Sequence, residues 1–145
     1  MYAILQHAHS GIRWIILILL LVSLYTSLTK RSNAQFTASD MKTYLFTMTF
    51  THVQFLIGLI LLFISPKVRF SSEMMKDSML RFFSMEHTVM MIAALILITI
   101  GYAKSKRKDT VAAKHKTITI FYGIALVIIL AAIPWPFRGL GTGWF

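Results

Sequence analysis

Histidine is the residue of this sequence best suited to chemistry, because its ring nitrogens bind protons, haem iron and metal ions. The chain has five histidines: His7, His9, His52, His87 and His115. Four of them fall inside or at the end of long apolar stretches, where an ionisable group is costly enough to suggest a function. Cysteine is absent, which excludes disulfides, iron–sulfur clusters and covalently attached haem.

Four apolar stretches position these histidines, and each is long enough to cross a bilayer as a helix, which takes roughly 20 residues. They cover residues 3–28, 44–64, 83–103 and 117–133. Of the 145 residues, 57% are hydrophobic and 14% are charged, whereas soluble domains are about a quarter charged. The runs are too long for the strands of a membrane barrel. The sequence therefore predicts one all-α domain, an integral membrane four-helix bundle.

The basic residues indicate how the bundle is oriented. The formal net charge is +10, but the lysines and arginines flank the spans, so we expect the lipid bilayer as the partner and no nucleic acid. Cytoplasmic loops are enriched in these residues, and the loops after the first and third spans hold most of them. Both termini and the second loop are therefore predicted to lie outside. The residues of the two basic loops are Lys30, Arg31, Lys42, Lys104, Lys106, Arg107, Lys108, Lys114 and Lys116.

The second loop has a helical pattern of its own. Ser72 is a residue type that begins helices, and Met75, Met79 and Phe82 or Phe83 follow at helical spacing. The pattern predicts a short amphipathic helix on the outer surface between the second and third spans.

Counting residues into each span gives the depth of each histidine. The first and third spans run in the same direction, and His9 and His87 both lie within roughly 10 Å of the outer edge. His7 is slightly shallower, whereas His52 is about 10–15 Å deeper. His115 precedes its span between two lysines and is predicted to be solvated at the inner surface.

The matched depths predict that His87 on the third helix meets His9 or His7 on the first. Such a pair suits the iron of a b-type haem held between the helices of a bundle, so His9 and His87 are the predicted metal ligands. His7 and His9 lie about 200° apart around a helix, so only one of them points into the core. His52 is the reserve ligand.

Two arginines are candidates for holding the haem propionates. Arg13 lies one helical turn after His9, which favours His9 over His7, although Gly11 stands in the same relation to His7. Arg13 and Arg81 are the predicted propionate partners. Glu86 precedes His87, and we expect it to pair with Arg13.

Two further patterns leave alternatives open. Thr47, Thr51 and Gln54 form a polar stripe that we place beside His52, which indicates either interhelical hydrogen bonds or a quinone site. Nine methionines serve as core filler or as soft ligands for Cu(I).

Three segments resemble a family of short four-helix bacterial membrane proteins that are labelled cytochrome b-like. The segments are residues 5–14 (LQHAHSGIRW), residues 75–87 (MKDSMLRFFSMEH) and residues 114–136, which begin with KHKT and end with PWP. The family is similar in outline to cytochrome b561-type proteins, whose haems lie between histidines of neighbouring helices. The resemblance implies a haem b and a bacterial inner membrane. Because His52 and His115 differ in depth, one haem is expected here.

The sequence therefore predicts a membrane protein that holds one haem b and transfers electrons, with a quinone or other membrane redox subunits as partners. Two alternatives stay open. In one, the protein is a non-redox structural or assembly subunit whose histidines only form hydrogen bonds. In the other, it handles copper.

Overall fold

Four long helices make up the protein. The computed structural model describes residues 1–33 and 35–144, and these contain no strand. Each helix is long and apolar enough to cross a membrane, and each covers one of the four predicted spans, so the all-helical prediction is confirmed. The helices are α1 (Tyr2–Lys30), α2 (Ala38–Ile64), α3 (Ser78–Lys106) and α4 (Val111–Ala132).

The helices form a bundle in which each helix packs against its neighbours in sequence, and α4 also packs against α1. α1 lies between α2 and α4, α3 lies between the same two helices, and α2 and α3 form the loosest of these interfaces. Both termini and loop two (residues 65–77) lie at one end, which we call the termini end. Loop one (residues 31–37) and loop three (residues 107–110) lie at the other, which we call the loop end.

Loop two does not contain the predicted surface helix. Ser72–Met75 forms a single 3-10 turn, and the Asp77 carboxylate accepts the backbone N–H groups of Met79 and Leu80. Asp77 thereby caps α3, because it satisfies N–H groups that have no partner within the helix. Met79, Phe82 and Phe83, which the pattern predicts for a surface helix, instead belong to the first turns of α3, and Phe82 is buried there. Met75 lies in the 3-10 turn.

The end of α4 is set by two prolines. Pro134 and Pro136 lack the N–H groups that the carbonyls of Leu130 and Ala132 would accept in a continuing helix. The indole of Trp135 donates to the freed Leu130 carbonyl at 2.9 Å. The chain then folds back along the bundle as a tail, residues 134–144, in which Trp135 and Trp144 pack on Trp14 of α1.

The loop end is closed by a buried hydrogen-bonded cluster around His115. The prediction that His115 is solvated is wrong, since the side chain is fully buried. Its Nε2 lies 2.9 Å from the Gln35 carbonyl, which only accepts, so Nε2 carries the proton. Nδ1 then accepts from the Tyr44 hydroxyl at 2.8 Å, and Tyr122 donates to the Tyr44 carbonyl. Gln35 and Phe36 lie against the His115 ring, which has no exposed surface.

We expect Tyr44→Phe to destabilise the bundle by about 1–3 kcal/mol, because the buried Nδ1 of His115 loses its donor. Tyr25→Phe is the matched control, since Tyr25 is exposed on α1. Unfolding in detergent, followed by circular dichroism, measures both changes. An equal loss in the two variants would show that the hydrogen bond to His115 contributes nothing.

A second prediction tests how closely α3 and α4 pack. A Cβ added at Gly101 would lie 2.5 Å from the Cβ of Phe121, whereas one added at Gly11 meets nothing within 4 Å. Gly101→Ala should cost about 1–3 kcal/mol, as overpacked cores do. Gly11→Ala should leave stability unchanged or raise it slightly, because alanine favours helix. The same unfolding assay compares them, and a Gly101→Ala variant as stable as Gly11→Ala would contradict this packing.

Candidate functional site

A cavity of about 280 Å³ lies in the half of the bundle towards the termini end. Side chains from all four helices, loop two and the tail line it, and most of them are apolar. Leu59 of α2 and Ile92 of α3 line the cavity and are also exposed on the bundle surface. The cavity therefore reaches the surface along the loose interface between these two helices. This is the kind of concave apolar site in which small ligands bind.

His9 and His87 meet inside this cavity. Their ring centroids lie 6.2 Å apart, with the ring planes at 70° to each other, and both residues line the cavity. The two histidines come from α1 and α3, helices on opposite sides of the bundle. The structure thus brings together His87 and His9, one of the two pairings that matched depth predicts.

The protonation of His87 is set by a hydrogen bond to α4. Nδ1 lies 2.8 Å from the Ala132 carbonyl, and since a carbonyl only accepts, Nδ1 carries the proton. Ala132 is one of the two residues whose carbonyls the prolines leave free, because Pro136 has no N–H to donate. No hydrogen bond from the described residues reaches Nε2. The lone pair of Nε2 is therefore free to bind another group.

A π-helical turn, Phe82–Glu86, directly precedes His87. Such turns insert one residue into an α-helix and are frequent at functional sites. Here the extra residue determines the direction in which the His87 side chain projects from α3. The π-turn and the Ala132 carbonyl together set the position of the imidazole.

The backbone of His9 is hydrogen-bonded to α2, whereas one nitrogen of its ring has no hydrogen-bond partner among the described residues. The Gln54 amide donates to the His9 carbonyl at 2.7 Å. Nδ1 of His9 and Oε1 of Gln54 are both buried and have no hydrogen-bond partner among the described residues. A Cβ added at Gly58 of α2 would lie 3.0 Å from Cε1 of His9, so the missing side chain gives the imidazole its space. A buried polar atom without a partner needs an explanation, and a bound ligand supplies one.

Two cations line the cavity beside the tail. Arg13 donates to the carbonyl of Trp144 at 2.6 Å, and Lys67 donates to that of Gly141 at 2.8 Å. Nε of Arg13 is buried without a hydrogen-bond partner among the described residues. No acidic side chain is found among the described residues that line the cavity. Among the described residues that line the cavity, no carboxylate offsets the positive charge of Arg13 and Lys67.

Arg81 lies elsewhere, and the expected ion pair of Glu86 with Arg13 is wrong. Nε of Arg81 donates to the Glu86 carboxylate at 2.7 Å, and the guanidinium also reaches the Met75 carbonyl. The two partners are close because both lie near the start of α3, where Arg81 directly precedes the π-turn and Glu86 is its last residue. Arg81 does not line the cavity, so the structure does not bring it to the histidine pair.

The other two candidate ligands also point away. His7 is exposed on α1. His52 donates from Nδ1 to the Met48 carbonyl at 2.8 Å, and its Nε2 lies 3.4 Å from the Thr99 hydroxyl. Gln54 lies two residues further on, about 200° around α2, and lines the cavity while His52 does not. Of the predicted polar stripe, Thr51 and Gln54 therefore line the cavity with His9, whereas Thr47 bonds to Ser23 of α1.

Sequence reasoning missed Gly58 and Lys67. Gly58 interrupts an apolar span, and small residues in such spans mark places where helices approach closely. Lys67 follows Pro66 at the end of α2, but no local pattern predicts that the tail returns to it.

Comparison of the chain with family models, with curated proteins and with solved structures finds no match. The resemblance to cytochrome b-like proteins therefore stays a prediction, and function is inferred from the side chains that line the cavity.

Proposed function

We propose that this protein is a membrane-embedded b-type haem protein that transfers single electrons, with His9 and His87 as the iron ligands. The observation that carries the proposal is the pair itself. Two imidazoles from opposite helices face one apolar cavity, with unbonded ring nitrogens on both. A low-spin haem iron would be held by one imidazole from each of these helices.

The residues of the cavity fit such a group. His87 holds its proton on Nδ1 through the Ala132 carbonyl, which is how ligating histidines are oriented and made more basic. No group of three or more histidine, cysteine, aspartate or glutamate residues suited to a bare metal ion is found in the described part of the chain. A pair of histidines in an apolar bundle favours haem over such an ion. Bound there, haem iron supplies a reversible one-electron change.

The rest of the site would govern access and charge. The apolar walls exclude water from the two imidazoles, and Gly58 leaves room for His9 to face the cavity. The opening at Leu59 and Ile92 would face lipid in a membrane-inserted bundle. A quinone dissolved in the bilayer is the redox partner that would approach from that side, and another membrane redox subunit could bind there as well.

Copper is the second candidate, and one observation favours it. Met91 lines the same cavity as His9 and His87, one helical turn after His87, and a thioether beside two imidazoles is a donor set that Cu(I) accepts. In the third possibility, a non-redox structural or assembly subunit, the cavity holds no metal at all. The three candidate functions predict different visible spectra and different metal contents for the purified protein.

The visible spectrum of the purified protein tests the proposal. We expect a Soret band and sharp α and β bands after reduction. His87→Ala and His9→Ala should each abolish the low-spin spectrum, because each removes one of the two imidazoles that would bind the iron. His7→Ala is the matched control and should leave the spectrum intact, since His7 is exposed on the helix that carries His9.

The outcomes separate the three functions. A folded protein with no Soret band but with bound copper, lost in Met91→Leu, would replace haem by copper. A folded, colourless and metal-free protein would refute both and leave the structural role. Haem content unchanged in His87→Ala would overturn the ligand assignment alone. His115→Ala is unsuitable as a control, because the buried His115 cluster holds the loop end together.

We also propose that the bundle lies in a bacterial inner membrane with both termini and loop two in the periplasm. The basic residues of the loop end support this orientation. Alkaline phosphatase, which is active only in the periplasm, should be inactive when fused after Lys108 and active when fused at the C-terminus. A green fluorescent protein fusion should give the reverse pattern. Phosphatase activity at Lys108 would invert the orientation.

A further inference from the structure

The positive charge beside the tail points to a specific part of the ligand. Arg13 and Lys67 line the cavity, and the acidic residues of the described chain lie away from it. Their hydrogen-bond partners are two backbone carbonyls of the tail, which carry no net charge. Both side chains are half-buried, and a nearby anion offsets part of the cost of removing such a cation from water. Two such cations on one cavity therefore indicate a ligand with anionic groups.

Both cations keep donors available. Nε of Arg13 is buried without a hydrogen-bond partner in the described part of the protein, while another nitrogen of the guanidinium is fixed on Trp144. Lys67 donates to Gly141 and lies over the Phe83 ring at 5.3 Å, and an ammonium group has three donors. The tail therefore positions the two side chains without using all their hydrogen bonds.

We propose that Arg13 and Lys67 form a carboxylate-binding subsite for an amphipathic acid whose apolar body fills the cavity. A planar guanidinium matches a carboxylate, and an ammonium group adds a second point of charge. On the function proposed above, from which this inference takes its ligand, the acid is haem with its two propionates. A fatty acid has the same chemistry on a different apolar body, so the subsite can be tested apart from haem.

The decisive experiment compares each acid with its ester. Arg13→Gln/Lys67→Gln should weaken haem binding by about tenfold or more, the scale of a lost charge-assisted hydrogen bond. Its affinity for haem dimethyl ester, which lacks the carboxylates, should stay within about twofold of the wild type. Dissociation constants from absorbance titration of the apo-protein in detergent give both values. Comparing two ligands on one variant separates the loss of charge from a general folding defect.

A matched control removes the same charge from the same end of the bundle. Arg69→Gln/Lys76→Gln also lowers the net charge by two, and both residues are exposed on loop two, outside the cavity. This variant should bind haem and its ester like the wild type. Lys67→Gln alone should give a smaller loss for haem in the same direction. Circular dichroism checks that every variant is folded.

A second arm replaces haem with oleate and methyl oleate. If the wild type takes up no haem but binds oleate more tightly than its ester, and Arg13→Gln/Lys67→Gln removes that preference, the subsite stands while the haem function fails. The subsite is overturned if folded Arg13→Gln/Lys67→Gln binds acid and ester with equal losses or with none. It is overturned also if the control variant shows the same acid-specific loss, or if the wild type prefers neither acid to its ester.

Discussion

A polar group that is removed from water must find its partners inside the protein, and the histidines of this bundle meet that constraint to different degrees. His115 has a partner on each ring nitrogen, the Tyr44 hydroxyl and the Gln35 carbonyl. His87 has a partner for Nδ1 alone, and Nδ1 of His9 is buried without one among the described residues. The cost of an unpaired buried group is about 1–3 kcal/mol, and the histidines of the cavity differ in this respect from His115, whose two ring nitrogens are both paired.

One local sequence feature links the end of α4 to that site. Pro136 cannot donate to the carbonyl four residues before it, so the Ala132 carbonyl is open to a side chain of another helix. His87 takes that position and thereby gains a fixed tautomer. The same pair of prolines turns the chain into the tail, which returns to Arg13 and Lys67. A helix stop thus orients a candidate ligand and also places two cations on the cavity.

The sequence predicts the helices and their relative depth well, because hydrophobic length and a fixed rise per residue determine both. The contact between His9 and His87 is predicted by counting residues from the start of each span, because both lie at a similar depth. Rotation and loop contacts are harder to predict. The rotation of α2 determines whether Gln54 or His52 faces the cavity, and this rotation depends on packing against neighbouring helices. The burial of His115 depends on the Gln35 carbonyl of loop one. A hydrophobic pattern does not predict where such a backbone group will lie.

The two ends of the bundle differ in how they are packed. At the loop end, hydrogen bonds between side chains join α1 to α2 through Ser23 and Thr47, and α1 to α4 through Ser27 and Thr119. The buried cluster around His115 adds contacts between α2 and α4. Each of these bonds is modest in an apolar medium, but together they fix three helices. With that end closed, α2 and α3 are able to remain loosely packed towards the termini end, where a cavity with unpaired nitrogens is maintained. A bundle with both ends equally well packed would have no such site.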